Sequence, residues 1–237
     1  MKQYKIEKLG QRWVLFDTEL MTQPKNEYFS CAAMRNLVTG TADGRGETCF
    51  YTAGEKTWAL RHYLRGGLIA RLLRDQYFGL RLKNTRAWKE WQLLNDMRAL
   101  GLPVPKPVAA SVIKNGVFYR ADLITEYLPN TLTLSDMLVS KKAGNEIWQT
   151  VGQTIRQFHN HSVFHSDLNA KNILIGEQEQ IYLIDFDQCG FRRGDDWKQS
   201  NLLRLKRSLN KLKSKSETFY FSETDWDILL QAYETEK

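Results

Sequence analysis

Residues 165–188 read HSDLNAKNILIGEQEQIYLIDFDQ. A histidine, three aspartates and Asn172 stand among two short apolar runs, NILIG and IYLID, whose separation by GEQEQ predicts a β-hairpin. Asp167 and Asn172 flank the start of the first predicted strand and Asp185 closes the second, so all three are expected at one mouth of the fold. Carboxylate and amide oxygens suit a hard cation such as Mg²⁺, which binds through one or two carboxylates, water and substrate phosphates. A further carboxylate not committed to metal is what a general base for a hydroxyl requires. Metal clamp, base and nucleotide together predict phosphoryl transfer.

Working outward, the chain changes character near residues 126–131. Before that point the turn and strand signals dominate. ETCFYTA and KTWALRHY are β-prone runs around Gly54, and a Gly-rich turn with Gly44 and Gly46 precedes them. Asn84 is expected to cap a helix running to about Leu100, with Trp88, Trp91, Leu94 and Met97 on one side and Gly101 as its stop. GLPVPKP leads into a second hairpin in which Asn115-Gly116 is predicted as a type I′ turn, followed by a strand ending near Tyr127. After it come predicted helices over about 135–141 and 145–161, the latter with Ile147, Val151, Ile155 and Phe158 at helical spacing. A basic helix over about 198–213 follows, then a last helix opened by Ser222 and Asp225 in a capping box. The expected fold class is α+β, with a β-rich half over 1–128 and a mainly helical half over 129–237, and a cleft between such halves is where ligands commonly sit.

The composition restricts the partners. The chain has 237 residues, a formal net charge of +7 and 42% hydrophobic residues, enough to build a core. The basic excess favours an anionic partner. Cys31, Cys49 and Cys189 lack metal-ligand spacing and are odd in number, for which a reducing cytosol is the simplest reading. No run approaches the roughly 18 apolar residues of a spanning helix, and MKQYKIEKLG lacks the apolar core of a signal peptide. The protein is expected to be soluble or peripheral to a membrane. Residues 192–215 hold nine Lys or Arg against Asp195 and Asp196. Leu202, Leu205, Leu209 and Leu212 form an apolar stripe there, which suits either core packing or a membrane surface. A nucleic-acid-binding module would also be basic, but it has no use for this set of carboxylates, and no nucleic-acid signature is present.

The motif His165-x-Asp167-x4-Asn172, followed by Asp185-Phe186, resembles the catalytic and metal-binding loops of protein-kinase-like enzymes. The resemblance implies a two-lobed kinase fold with Asp167 as base and Asn172 and Asp185 holding Mg²⁺. It also implies that Gly44 and Gly46 cover ATP phosphates, that Arg61 replaces the usual lysine with Glu90 as its partner, and that the backbone at Glu126 meets adenine. There are departures. Ser166 replaces an arginine, Asn169 stands where a lysine is usual, Asp187 replaces a glycine, and no peptide-binding activation segment follows. The last departure favours a small-molecule acceptor. An inactive kinase-like scaffold is the reading the departures invite, and the intact Asp167, Asn172 and Asp185 oppose it.

Over about residues 40–210, GRGETCFY, WALRHYLRGGLIARLL, GLPVPKPVAA, HSDLNAKNILI, LIDFDQCGFR and the W-K-x-x-N-L-x-R-L segment from Trp197 resemble the 3-deoxy-D-manno-octulosonic acid (Kdo) kinases of Gram-negative bacteria. The resemblance implies ATP-dependent phosphorylation of the 4-hydroxyl of a Kdo sugar on a lipid A precursor, at the cytoplasmic face of the inner membrane. The basic helix would then meet an anionic bilayer, with no nucleic acid and no obligate protein partner. A heptose or aminoglycoside-type kinase is the alternative, with an atypical protein kinase behind it.

Overall fold

A computed structural model describes residues 4–34, 38–42, 48–64, 75–79 and 81–235, and of 38–42 the backbone alone. The chain separates into two compact units: Met1–Asn95 with Pro105–Tyr127, and Asp96–Val104 with Leu128–Lys237.

The first unit is built on one antiparallel sheet. Its strands are β1 (Tyr4–Leu9), β2 (Arg12–Asp17), β3 (Val38–Ala42), β4 (Thr48–Ala53), β5 (Lys56–His62), β6 (Tyr77–Phe78), β7 (Pro107–Asn115) and β8 (Phe118–Glu126). They lie in the order β1-β2-β7-β8-β5-β4-β3, with β6 added on β8. The period-2 alternation of a strand with one buried face is plain in β4 and β5. Cys49, Tyr51, Trp58 and Leu60 are buried, while Thr57, Ala59 and Arg61 lie on the other face of β5. The buried set packs with Val14, Phe16, Phe29, Val108 and Ile124 into one core. A disulfide joins Cys31 to Cys49, a pairing that the spacing did not reveal. Cysteine usage therefore no longer argues for a reducing compartment.

Two local expectations need correction. Asn84 does not cap the first helix. It ends a 3₁₀ turn, Leu82–Asn84, and α1 runs Arg86–Ala99 behind a fully buried Thr85. The β7–β8 hairpin pairs Asn115 with Phe118, so its central residues are Gly116 and Val117. Of these only Gly116 has a positive φ, +60°, the sign pattern of a type II′ turn with glycine first rather than of type I′. The helix stop at Gly101 is present: its φ is +74°, its N–H donates to Arg98 O and that of Leu102 donates to Met97 O. These two bonds form a Schellman motif.

The second unit contains β9 (Leu132–Thr133), α2 (Leu134–Ser140), α3 (Asn145–Asn160), β10 (Val163–Phe164), β11 (Ile173–Ile175), β12 (Ile181–Leu183), β13 (Gly190–Phe191), α4 (Asp196–Lys213) and α5 (Glu223–Glu234). Ile147, Trp148, Val151, Ile155 and Phe158 form the buried side of α3. Ser222 and Asp225 close the capping box of α5 through both bonds. At Gly152 the backbones of α3 and α5 nearly touch: a Cβ there would stand 2.3 Å from Leu229 O. The opening stretch folds as β11 antiparallel to β12, with β9 on its other edge. Leu202, Leu205 and Leu209 are buried in the unit's core, whereas Leu212 is only half-buried. The stripe is thus core for three of its four leucines. Among the described residues no helix is long and apolar enough to cross a membrane.

Candidate active site

The loop from His165 to Asn172 is held by hydrogen bonds that start from its own side chains. His165 is buried; its Nε2–H donates to Ile184 O at 2.9 Å and its Nδ1 accepts from the Asp167 N–H at 3.2 Å. These roles require the neutral ring, and burial in turn pushes the imidazole pKa down. The amide nitrogens of Asn169 and Asn172 both donate to Asp167 O at 2.9 Å. Asn169 Oδ1 also accepts from Lys171 N–H at 2.8 Å, so the residue standing in the usual lysine position closes the loop and carries no charge.

Asp185 is fixed by the same loop. Ile184, its predecessor, gives its N–H to Asn172 O at 3.0 Å while its carbonyl accepts from His165. Asp185 itself has a φ of +64°, in the left-handed region that non-glycine residues adopt at a cost unless the surroundings impose it. Phe186 supplies that imposition. It is buried, with its ring 4.8 Å from that of His165 and stacked 5.8 Å from Phe158. Ser166 donates from its hydroxyl to Asp187 O at 2.8 Å, so the residue in place of the kinase arginine ties the two loops together.

Helix α4 supports the loop from outside. Trp197, Asn201, Arg204 and Ser208 recur at i, i+4, i+7 and i+11, one side of a helix. Trp197 packs edge-on against Phe164 and His159. Asn201 Nδ2 donates to His165 O at 2.6 Å, and Ser208 Oγ accepts from Ala170 N–H at 3.4 Å. Arg204 reaches Asp167 Oδ1 with Nη2 at 2.6 Å and Nε at 3.2 Å. Burial alone would raise the Asp167 carboxyl pKa; the Arg204 guanidinium, by hydrogen bond and charge, and Asn169 outweigh it and hold the group below its ordinary value. In the sequence Arg204 stands out only as one of nine cations and as the arginine of the W-K-x-x-N-L-x-R-L segment, with no role attached to it. The signal that would have found it is its helical register with Trp197 and Asn201.

In the first unit Arg61 contacts Glu90 through Nη2 and Oε2, and Tyr63 OH donates to the same oxygen at 2.5 Å. Glu90, on α1, is buried among the described side chains, so it is a helix carboxylate turned inward and paired, not a solvated one. Glu126 ends β8, and its N–H donates to Lys106 O at 2.9 Å. Gly44, Gly46 and residues 65–74 lie outside the described residues.

The arrangement offers a half-exposed carboxylate with one oxygen held by arginine. Beside it are an amide and a carboxylate whose oxygens are hard donors. Asn172 spends its amide nitrogen on Asp167 O, which leaves its oxygen as the atom for a cation. Among the described residues no group of three or more His, Cys, Asp or Glu could hold a metal by itself. One carboxylate and one amide do suit Mg²⁺, whose remaining ligands are ordinarily water and phosphate.

A sequence model of the Lipopolysaccharide kinase (Kdo/WaaP) family matches residues 30–233. The chain belongs to that family. Its relatives include proteins named 3-deoxy-D-manno-octulosonic acid kinase from three bacteria. That of Vibrio vulnificus (strain YJ016) is 40% identical over 233 residues, 98% of each chain. That of Vibrio cholerae is 45% identical over 204 residues, 85% of this chain and 87% of the relative. That of Actinobacillus succinogenes is 41% identical over 229 residues, 93% and 95%. Membership of the Kdo/WaaP family makes the protein a phosphotransferase with a hydroxyl acceptor and a kinase-like α+β fold, and implies ATP as the phosphoryl donor.

Proposed function

We propose that the protein transfers the γ-phosphoryl group of ATP to the 4-hydroxyl of a Kdo residue on a lipid A precursor. The observation that carries this reading is the 165–187 loop pair inside a chain that matches Kdo kinases over nearly its full length. Asp167 takes the proton of the acceptor hydroxyl as it attacks phosphorus. Asn172 and Asp185 are the residues that would hold Mg²⁺, which would neutralise charge on the phosphates. Arg61, steadied by Glu90 and Tyr63, serves the phosphates of the nucleotide; a guanidinium fork gives fixed positive charge there, with a reach different from that of lysine. Residues 1–128, with Gly44, Gly46 and the backbone at Glu126, serve the nucleotide, and 129–237 carry the chemistry.

A Kdo carboxylate and lipid A phosphates are anionic, in keeping with the net charge of +7. The outer side of α4 exposes Arg207 and Lys211, with Lys215 exposed just beyond it, and this side meets the anionic cytoplasmic face of the inner membrane. Lys206 is a poorer candidate for membrane contact, because it pairs with Glu223 at 2.6 Å and lies over the Trp226 ring. The deciding experiment is mass spectrometry of a Kdo-lipid A precursor after incubation with protein, ATP and Mg²⁺. One added phosphate on the Kdo 4-hydroxyl supports the reading. Phosphate on a heptose or aminoglycoside acceptor instead, with none on Kdo, would replace it.

A further inference from the structure

The position two residues after Asp167 carries no cation. Asn169 stands there, its amide nitrogen donating to Asp167 O and its oxygen accepting from Lys171 N–H. The cation arrives from elsewhere in the chain. Arg204, 37 residues on, places two guanidinium N–H groups on the same Asp167 oxygen. Both donors meet Oδ1, which fixes the rotation of the carboxylate.

Arg204 is itself held. Three neighbours on its side of α4 anchor the helix to the same segment: Trp197 against Phe164, Asn201 to His165 O, and Ser208 to Ala170 N. Leu205, next in the chain, is fully buried and keys the helix into the unit's core. The guanidinium is therefore presented by a helix anchored to the 164–170 segment on both sides of Arg204, whereas its pair with Asp167 is about half exposed to solvent.

We infer that Arg204 is the positioning residue of the catalytic base: it orients the Asp167 carboxylate and supplies beside it the positive charge that Asn169 does not. The inference rests on the kinase reading above. In the step concerned, the acceptor O–H proton moves to Asp167 Oδ2 as the acceptor oxygen bonds to the γ-phosphorus. The bond from that phosphorus to the ADP oxygen breaks, and the proton later passes to water. Arg204 forms no bond to the reacting atoms.

The test compares Arg204→Ala and Arg204→Lys with the wild type on a Kdo-lipid A precursor. For Ala, kcat should fall by roughly 10²-fold, the scale of a misplaced catalytic group, with KM for ATP nearly unchanged, since Arg204 does not serve the nucleotide. Lysine restores the charge without the fork and should recover part of the loss. Added guanidinium ion should also recover part of it in the Ala variant, because the site is open to solvent. Thermal melting of both variants checks the fold. If Ala melts early, the comparison of Lys with wild type at matched folded fraction carries the test.

An Ala variant with wild-type kcat overturns the inference, as does a loss confined to KM. A kcat loss that neither Lys nor guanidinium relieves overturns it as well, because it reports only a damaged helix. A wild-type protein that leaves the Kdo acceptor unmodified would instead remove the functional reading, so the two failures are distinguishable.

Discussion

Replacing His159 by glutamine should remove one buried histidine's share of the pH dependence of stability that the wild type carries between about pH 6.5 and about pH 4. His159 is buried at 2% exposure, with Nε2 3.1 Å from Asn201 Oδ1 and Nδ1 2.8 Å from Tyr233 OH. Asn201 gives its amide nitrogen to His165 O, so its oxygen must accept, which assigns the His159 proton to Nε2 and makes Nδ1 the acceptor for Tyr233. A second proton on Nδ1 would break that bond. Burial, chiefly, lowers the His159 pKa to about 4; the Asn201 bond opposes the shift, and the Lys198 charge adds to it. Between that value and the unfolded-state pKa of about 6.5 the unfolded chain binds the proton and the folded one does not. The stability conferred by the neutral ring is therefore complete above pH 6.5 and is lost as pH falls through the folded pKa. At about 1.4 kcal/mol per unit over roughly 2.5 units, the whole loss is about 3.5 kcal/mol.

The assay is urea unfolding of wild type and His159→Gln at about pH 7 and about pH 4.5, comparing how much each loses between the two. Other groups that titrate in this window, His165 among them, act in both proteins and cancel in the difference. The wild type should lose about 2 kcal/mol more than the variant. Equal losses would refute the reasoning, since His159 would then be free to ionise in the folded state.

Asp167→Asn should cut kcat by roughly 10²–10⁴-fold with nucleotide binding retained; a variant keeping more than about a tenth of the rate would remove Asp167 as base. Asp185→Asn should weaken nucleotide binding in the presence of Mg²⁺ and leave metal-free nucleotide binding nearly unaltered, as isothermal titration with and without chelator would show; equal losses in both would make Asp185 a structural residue of the turn. Arg61→Ala should raise KM for ATP, and an unchanged value would break its correspondence with the kinase lysine. Reversing Arg207, Lys211 and Lys215 to glutamate should release the protein from anionic vesicles, at about 1 kcal/mol of attraction per cation, while activity on a soluble Kdo saccharide survives; vesicle co-sedimentation as tight as wild type would end the membrane role.

The hairpin within 165–187 was legible because two short apolar runs flank GEQEQ, and β11 and β12 pair there. The buried side of α3 was legible through its apolar period, and the start of α5 through the Ser222–Asp225 cap. Strands β1 and β2 passed unread, since β1 is mostly exposed and shows little contrast between its faces. The Cys31–Cys49 bond depends on a long-range approach that sequence arithmetic does not contain. On α4 the leucines drew attention to the apolar side, and the row of Trp197, Asn201, Arg204 and Ser208 gained meaning only once the helix was seen against the 164–170 segment. Gly116 rather than Asn115 leads its turn because pairing runs one residue further than the dipeptide suggested.

The contact at Gly152 has a consequence for how the polypeptide is made. Helix α3 meets α5 backbone to backbone there, and Arg156 donates to Tyr233 O at 2.6 Å, yet roughly 60 residues separate the two helices in the chain. At about 5–20 residues per second, a ribosome needs on the order of 3–12 s to reach α5 after finishing α3. Through that interval the partner surface of α3 and the ring of His159 have no α5 to close over them. The nascent catalytic loop can be complete in sequence while its innermost support is still untranslated. Synthesis of this unit is thus a race between the arrival of α5 and adventitious pairing of an apolar helix side, and chaperone demand should peak in the window between residues 160 and 223.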